Sequence, residues 1–478
     1  MTKCYFGILA AVVLLLCSFQ AYTQDKIELK KSDKLTGKTV DGKSVREATG
    51  NVHFVQGNVV VYCDDAVQYI DGNWVELKGN VRIYQDTLSL FTSKATYFGN
   101  EKKAICEGTV TLKDPNATLR ANHGVYFFNE AKAVFTGDVI IVNPAYRITS
   151  DELTYMRGTE DSYSKGNVVV HSDSAVIKAE YIDFYKRSGK TFARNNVSVE
   201  KDSSVIYSDT LTDLSFEKKN IAVGNVRILN LRNNLIVSGN YAENYSALKY
   251  SFVRDNAKLV QVENENDTLF IYSKLLETFR TLPERYVAKE NVEIIRGNFL
   301  AKSDTAVFAR TSVKELEYIS LFPRPVVWQE NLQLTADSVY AELTNRKLSY
   351  VYAKKLDGFP GTKNSFLLVV NRDTFFSERY DQITGKDIKI KFENDSIKSV
   401  EVYKNSSSIY FTYENFKANG VNFVNGENMY ISFDENQKVS KIRIEKYPKG
   451  QYVPESKMKT VLLTLPGFIL RTDKPGKR

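Results

Sequence analysis

The stretch Gly79-Asn80-Val81-Arg82-Ile83 recurs along this chain in close variants, among them Gly137-Asp138-Val139-Ile140-Ile141 and Gly224-Asn225-Val226-Arg227-Ile228. Its valine returns at a constant step of 29 residues (81 − 52 = 29), at Val52, Val81, Val110, Val139, Val168, Val197 and Val226. A fixed period of this kind indicates a repeat architecture, in which stacked repeats bury one continuous core.

The spacing inside the repeat indicates strands. Val81 and Ile83 are two residues apart with a polar residue between them, and Val197 and Val199 repeat this spacing. Period two is typical of a β-strand with one buried face. We interpret the glycine as a turn after which a strand begins. About 29 residues per repeat accommodate two strands, and because one repeat has too few apolar residues to fold alone, the repeats must stack into a long β structure.

Other columns keep the same step. Two are apolar throughout, and we expect both to face the interior: Val61, Leu90, Leu119, Ile148, Ile177, Ile206 and Leu235; and Ile105, Val134, Tyr163, Phe192, Ile221 and Tyr250. An aromatic column begins at Tyr97 and ends at Phe184, because the next position is Asp213. A column of Asn and Asp, which includes Asn80 and Asp138, favours a role in tight backbone conformations, with a ligand-binding ladder as the alternative.

The repeats extend beyond the regular part. After Val226 the step lengthens, and a Gly/Pro cluster at residues 356–364 predicts a boundary. We predict five segments: a signal peptide at 1–23, a lead segment at 24–45, repeats at 46–355, a second β unit at 356–455 and a basic tail at 456–478.

The amino end has one lysine before a short apolar stretch and then small residues, which is typical of a secretory signal cut after Thr23. The alternative is an uncleaved anchor, although the apolar stretch is shorter than a bilayer requires. Removal of the signal leaves Cys63 and Cys106. We favour two small buried side chains over a disulfide.

Charge and chemical motifs exclude several function classes. The net charge of +8 is mild for 478 residues and suits an anionic partner such as a phosphorylated lipid, whereas nucleic acid is not expected. The three histidines, His53, His123 and His171, fall in different phases of the repeat, so we expect no metal site. No nucleophile, phosphate-loop or zinc motif is present, so we expect neither a cofactor nor catalytic residues, and we predict that the protein is not an enzyme.

The Gly-Asn-Val-x-Val strand, the Ser-Asp-x-Leu strand of Ser208–Leu211, the signal peptide and the ending Ile442-Arg-Ile-Glu-Lys-Tyr-Pro together resemble the LptA/OstA family of periplasmic lipopolysaccharide-transport proteins. The resemblance covers roughly residues 46 to 455 and rests on the period and the Gly-Asn-Val frame together. It implies an all-β fold, an elongated open β-jellyroll (β-taco) of stacked antiparallel strand repeats, with a second jellyroll at 356–455.

The resemblance also implies a function. Family members carry lipopolysaccharide from the inner to the outer membrane by shielding its acyl chains in an apolar groove. The implied partners are lipopolysaccharide, an inner-membrane LptC-like jellyroll and an outer-membrane LptD-like translocon, joined through edge strands, with head-to-tail self-association as a further possibility. The implied location is the periplasm, in association with the outer membrane.

By the same resemblance we assign the groove to the inward-facing apolar columns. The assigned residues are Val81, Ile83, Leu90, Val110, Leu112, Leu119, Val139, Ile141, Ile148, Val168, Val170, Ile177, Val197, Val199 and Ile206. Two alternatives remain. The same residues are plain core if the protein is a structural or adhesive β-solenoid, and a polysaccharide-acting parallel β-helix enzyme would also have rungs of a few tens of residues.

Overall fold

The structure is a computed structural model. It describes residues 25–478 except 233, 265–266, 311–315, 345–346, 357–364, 371–375, 377–378, 395, 415–416 and 436–438. The predicted signal peptide and the centre of the predicted boundary at 356–364 lie outside the described residues. The chain divides into two compact units, Met1–Asp173 (unit 1) and Ser174–Arg478 (unit 2).

Unit 1 consists of antiparallel strands, each paired with the next along the chain from β3 onward. The strands are β1 (Glu28–Lys31), β2 (Lys34–Val40), β3 (Lys43–Gln56), β4 (Val59–Tyr69), β5 (Trp74–Gln85), β6 (Leu88–Phe98), β7 (Lys103–Lys113), β8 (Thr118–Phe127), β9 (Lys132–Val142), β10 (Tyr146–Met156) and β11 (Asp161–Ser172).

Unit 2 continues with long antiparallel strands and then with shorter ones. They are β12 (Val176–Tyr185), β13 (Lys190–Lys201), β14 (Ser204–Leu214), β15 (Lys219–Asn230), β16 (Leu235–Tyr245), β17 (Tyr250–Asn264), β18 (Asp267–Phe279), β19 (Arg285–Arg296), β20 (Phe299–Arg310), β21 (Leu316–Phe322), β22 (Val326–Gln329), β23 (Leu332–Thr335), β24 (Ser338–Thr344), β25 (Lys347–Lys354), β26 (Ser365–Val370), β27 (Tyr380–Gly385), β28 (Asp387–Glu393), β29 (Ser396–Glu414), β30 (Lys417–Phe433), β31 (Val439–Glu445) and β32 (Lys449–Pro454). One 3₁₀ helix, Glu455–Thr460, follows.

A register shift in the middle of the long strands determines the fold, and on every second strand it coincides with residues of positive φ. In β5, Gly79 and Asn80 both have positive φ, 72° and 41°, and the pairing with β6 shifts register between Lys78 and Val81. Two consecutive residues in this conformation leave the ladder intact on either side but turn the strand. From the sequence we expected a strand to begin after this glycine. That expectation is wrong, because β5 runs through Gly79 from Trp74 to Gln85.

The Asn and Asp column fixes this bend. Asn80 donates from Nδ2 to Asp64 Oδ2 of the preceding strand at 2.8 Å. The same bond recurs in other repeats, with Asn51 and Asp33, Asn167 and Asp151, and Asn225 and Asp209 as the pairs. The predicted backbone role of this column is confirmed.

Because the register shift falls at the same place in successive long strands, the two halves of each strand belong to two layers. We call the layer that contains 74–78 and its paired segments layer A, and the layer that contains 81–85 and its paired segments layer B. In unit 2 the same names apply to the half-strands on the corresponding sides of the bend, 190–194 in layer A and 197–201 in layer B. This arrangement is the predicted all-β jellyroll of antiparallel repeats.

Beyond β20 the two layers of unit 2 are built from separate short strands. Residues 305–310 of β20 pair with β21, whereas residues 299–302 pair with β22. Layer A continues through β24, β25 and β28, and layer B through β23, β26 and β27. The long strands β29 and β30 then take part in both layers again. Pairing between β23 and β26 runs across the predicted boundary near 356.

One of the two apolar columns faces outward, which contradicts the expectation. Ile105 lies between Ala104 and Cys106, which are 0% and 1% exposed and point into the core. Alternation along a strand therefore places Ile105 on the opposite face, where it is half-buried. Neighbouring side chains shelter this column: in unit 2, Lys190 lies 5.7 Å from the centre of the Phe192 ring.

The carboxyl-terminal segment after the 3₁₀ helix lies against the outward face of layer B in unit 2. The Gln382 side chain, 1% exposed, accepts from the Leu465 N–H at 2.8 Å and donates to the Leu463 carbonyl at 2.9 Å. Gln333 accepts from the Arg471 N–H at 2.8 Å in the same way. Buried amides satisfied by a peptide backbone hold this segment in place without a strand ladder.

The bend gives a stability prediction. Gly79→Ala should lower the free energy of unfolding by about 1–3 kcal/mol. The alanine backbone would have to keep a positive φ, and its Cβ would lie 2.9 Å from Asp64 Cβ. Gly37→Ala in β2 is the control, since nothing lies within 4 Å of its added Cβ. Urea denaturation compares the two variants, and equal stability would contradict the role assigned to the bend.

Candidate functional site

The predicted groove residues of unit 1 face the interior, and their role as a lipid groove stays a prediction. Val81, Ile83, Leu90, Val110, Leu112, Leu119, Val139, Ile141, Ile148 and Val168 are each 4% exposed or less, and Val170 is half-buried. Layer A meets them with buried side chains of its own, including Leu77, Cys106 and Phe135. The inward side chains of unit 1 are therefore shielded from solvent over most of its length.

Hydrogen bonds bridge the free ends of the two layers in unit 1. Gln56, at the end of layer B, donates to the Gly99 carbonyl of layer A at 2.9 Å and accepts from the Tyr97 hydroxyl at 2.6 Å. Further along, the Tyr155 hydroxyl donates to the Asp114 carboxylate at 3.0 Å. Burial raises the pKa of both tyrosines, so their hydroxyls remain donors. These bonds close the mouth of the trough.

Unit 2 has an apolar row on the inward face of layer B. Each member is the direct cross-strand partner of the next, in the order Ile177, Val199, Ile206, Ile228, Val237, Leu259, Ile271 and Ile294. The row from Ile177 to Val237 is half-buried, whereas Leu259, Ile271 and Ile294 are at most 5% exposed. Apolar side chains of this row are thus accessible at one end and enclosed at the other.

The enclosed end of the row forms one wall of a cavity of about 440 Å³ between the two layers of unit 2. Layer B contributes Leu235, Leu259, Leu269, Ile271, Ile294 and Phe299, and layer A contributes Tyr286, Phe308, Ile319, Ala341 and Leu343. A few polar groups, among them Glu284, Arg296 and Glu317, also line it. The size and the apolar lining are typical of a ligand-binding pocket.

The cavity lies further along the chain than the predicted groove. Val197 of unit 2 is 2% exposed, whereas Ile177, Val199 and Ile206 are half-buried and belong to the row that leads to the cavity. The cavity residues follow the point where the repeat step lengthens beyond 29. In the sequence, the longer step is the signal that marks this region as different. It does not reveal whether side chains fill the space between the layers.

The inward face of layer A in unit 2 carries a polar row. Asp213, Asn220, Asn244 and Ser251 are successive cross-strand partners on β14 to β17. Asn220 donates to the Asp213 carboxylate, and Asn244 donates to Asn220 Oδ1 at 3.2 Å. Burial raises the pKa of the Asp213 carboxyl, and the bond from Asn220 opposes this shift. The aromatic column of the sequence ends where this row begins.

The remaining candidate groups have structural surroundings. Cys63 and Cys106 are buried free thiols, and burial raises the pKa of each to about 12. Over the described part of the chain, no group of three or more His, Cys, Asp or Glu side chains could hold a metal ion. Within the same residues, no helix has the length and apolarity to cross a bilayer.

Comparison with protein families adds one finding. Residues 24–180 match the family model described as OstA-like protein. This part of the chain is OstA-like. The predicted resemblance to the LptA/OstA family is thereby confirmed for the OstA-like region, which ends before the residues that line the cavity. No curated protein matches the chain.

The cavity predicts that a large side chain is tolerated at one of its lining positions, Ala341. Ala341→Trp places its ring toward the cavity, so it should change stability by less than about 1 kcal/mol and should reduce binding of an apolar fluorescent dye. Ala353→Trp, on the neighbouring strand and 0% exposed, should overpack the core and cost about 1–3 kcal/mol. Urea denaturation and dye titration measure both effects, and equal losses of stability would show that the space does not accept a ring.

Proposed function

We propose that the protein is a periplasmic lipid-binding bridge that carries lipopolysaccharide from the inner to the outer membrane by shielding acyl chains in an apolar groove. The observation that carries the proposal is the apolar row of unit 2, which runs from half-buried side chains into the walls of the 440 Å³ cavity. The OstA-like region supports a role in transport and binding rather than in catalysis.

The physical rationale is the cost of exposing hydrocarbon to water. An acyl chain of about a dozen methylenes in water costs roughly 10 kcal/mol at ~0.8 kcal/mol per CH₂. A row of aliphatic side chains removes that cost along its length, without any chemical step. The row from Ile177 to Ile294 provides such a surface on seven consecutive strand pairs.

The two units would contribute differently. In unit 1 an acyl chain could reach Leu90 or Leu112 only if the bonds at the mouth, such as Gln56 to Gly99, were broken. The closed, buried interior of unit 1 favours a second candidate function, a structural or adhesive β-solenoid of the cell envelope. Protein that binds neither lipopolysaccharide nor an apolar dye would support that alternative.

Photocrosslinking in cells tests the proposal. A benzoylphenylalanine at Ile228, on the inward row, should crosslink to lipopolysaccharide. The matched control is its neighbour Arg227, which is exposed on the opposite face of β15 and should not. Labelling from Arg227 alone, or from neither position, would rule out transport along this row.

We also propose that edge strands join the protein to its partners, the LptC-like jellyroll of the inner membrane and the LptD-like translocon of the outer membrane, or to a second copy. In unit 1, β2 pairs only with β3 among the described strands, and all of its residues are exposed. In unit 2, β31 pairs only with β30 among the described strands. Unpaired backbone groups on such strands can accept a further strand.

Proline substitutions test the edge of unit 1. Lys38 and Thr39 are adjacent on β2, so one of their N–H groups faces β3 and the other faces solvent. Lys38→Pro and Thr39→Pro each remove one of these donors. The variant that removes the N–H facing solvent should retain the fold and lose association with the partner. The variant that removes the N–H facing β3 should loosen β2. Circular dichroism and co-purification measure these outcomes, and normal complexes from both variants would refute docking at β2.

A further inference from the structure

The polar row of layer A is continuous with the apolar wall of the cavity. After Ser251 the successive cross-strand partners are Thr278, Tyr286 and Phe308. Tyr286 and Phe308 line the cavity. A single line of inward positions therefore changes from polar to apolar at Tyr286, while the row opposite on layer B is aliphatic throughout. The trough of unit 2 thus has an aliphatic row on layer B, and on layer A this polar row lies beside a buried apolar row that includes Leu211 and Val253.

Two members of the polar row, Asn244 and Ser251, hold the guanidinium group of Arg280 by hydrogen bonds. Arg280 donates from one terminal nitrogen to Asn244 Oδ1 at 2.8 Å and from the other to the Ser251 hydroxyl at 3.2 Å. Arg280 is nonetheless exposed. A guanidinium group has five N–H donors in a fixed plane, so an arginine oriented in this way suits the oxygens of an anion.

Two lysines lie beside Arg280 on the rim of layer A. The Lys249 carbonyl accepts from the Arg280 N–H at 2.9 Å, and the Lys218 carbonyl accepts from the Ser246 N–H of the next turn at 2.9 Å. Three consecutive turns thus each carry an exposed basic residue. The carboxylates on the same turns are Glu217 and Glu284, and Glu284 is directed to the cavity lining.

We propose that this part of unit 2, from Asn220 to Arg280 on layer A, is a binding strip for the anionic headgroup of an amphiphile whose chain lies on the aliphatic row of layer B. The inference rests on the proposed function and adds the headgroup chemistry: a phosphate monoester or a group of similar charge. Arg280 binds the anion, Lys249 and Lys218 add positive potential, and Asn244, itself bonded to Asn220, positions Arg280 by accepting a hydrogen bond from its guanidinium group. The ligand consequently has one orientation across the trough.

The test uses the purified full-length mature protein and two probes with the same twelve-carbon chain, dodecyl phosphate and uncharged dodecyl maltoside, titrated below their micellar concentrations. Dodecyl phosphate should bind more tightly, and Arg280→Gln should weaken it by about tenfold while leaving dodecyl maltoside unchanged. Lys249→Gln, an exposed change with little risk to the fold, should weaken it by a smaller factor. Arg227→Gln on the outward face is the matched control and should change neither probe.

The other outcomes separate the two hypotheses. Failure of both probes to bind would remove the proposed function itself. Equal binding of the two probes, unaffected by Arg280→Gln in a folded protein, would keep the lipid groove and overturn the headgroup strip. Inorganic phosphate that competes fully at the same concentration as dodecyl phosphate would mark a site for free phosphate and overturn the amphiphile assignment.

Discussion

The bend at the centre of every second long strand is the constraint on which the rest of the structure depends. Two successive residues with positive φ, such as Gly79 and Asn80, cost conformational energy that the Asn80 to Asp64 bond and the resumed ladder offset. Because the bend falls at the same place in each repeat, one strand serves two layers. The space between the layers is then a property of the whole stack, and its contents depend on which side chains project from the inward positions.

The identity of those side chains separates a closed trough from an accessible one. In unit 1 the inward positions near the free ends of layer A include Tyr97 and Tyr126, which are 1% and 0% exposed and pack edge to face against Phe128. In unit 2 the position that corresponds to these tyrosines includes Asp213, whose side chain is smaller and polar and accepts a hydrogen bond from Asn220. The same backbone arrangement therefore supports a closed interior in one unit and a more accessible trough in the other.

Much of this could be predicted from the sequence, because strand alternation makes the inward phase readable. Val81 and Ile83 were correctly placed inside from their spacing alone. Gly79 was misinterpreted as a turn between strands, since a glycine with positive φ produces the same local signature in a hairpin and in a bend within a strand. Ile105 was misplaced because an apolar column reads as core, even though alternation with Ala104 and Cys106 puts it on the other face.

The sequence by itself determined the period and the face on which each valine of the repeat lies, because both depend only on local geometry repeated at a fixed step. The family resemblance added the antiparallel β class. Only the tertiary structure decided where the interior is closed to solvent and where it is accessible. That outcome depends on pairs such as Gln56 and Tyr97, 41 residues apart, and on walls contributed by Leu259 and Phe308 from different layers. Contacts across the trough form when the two layers pack against each other. They join residues that are far apart in the sequence, so a local sequence pattern does not reveal them.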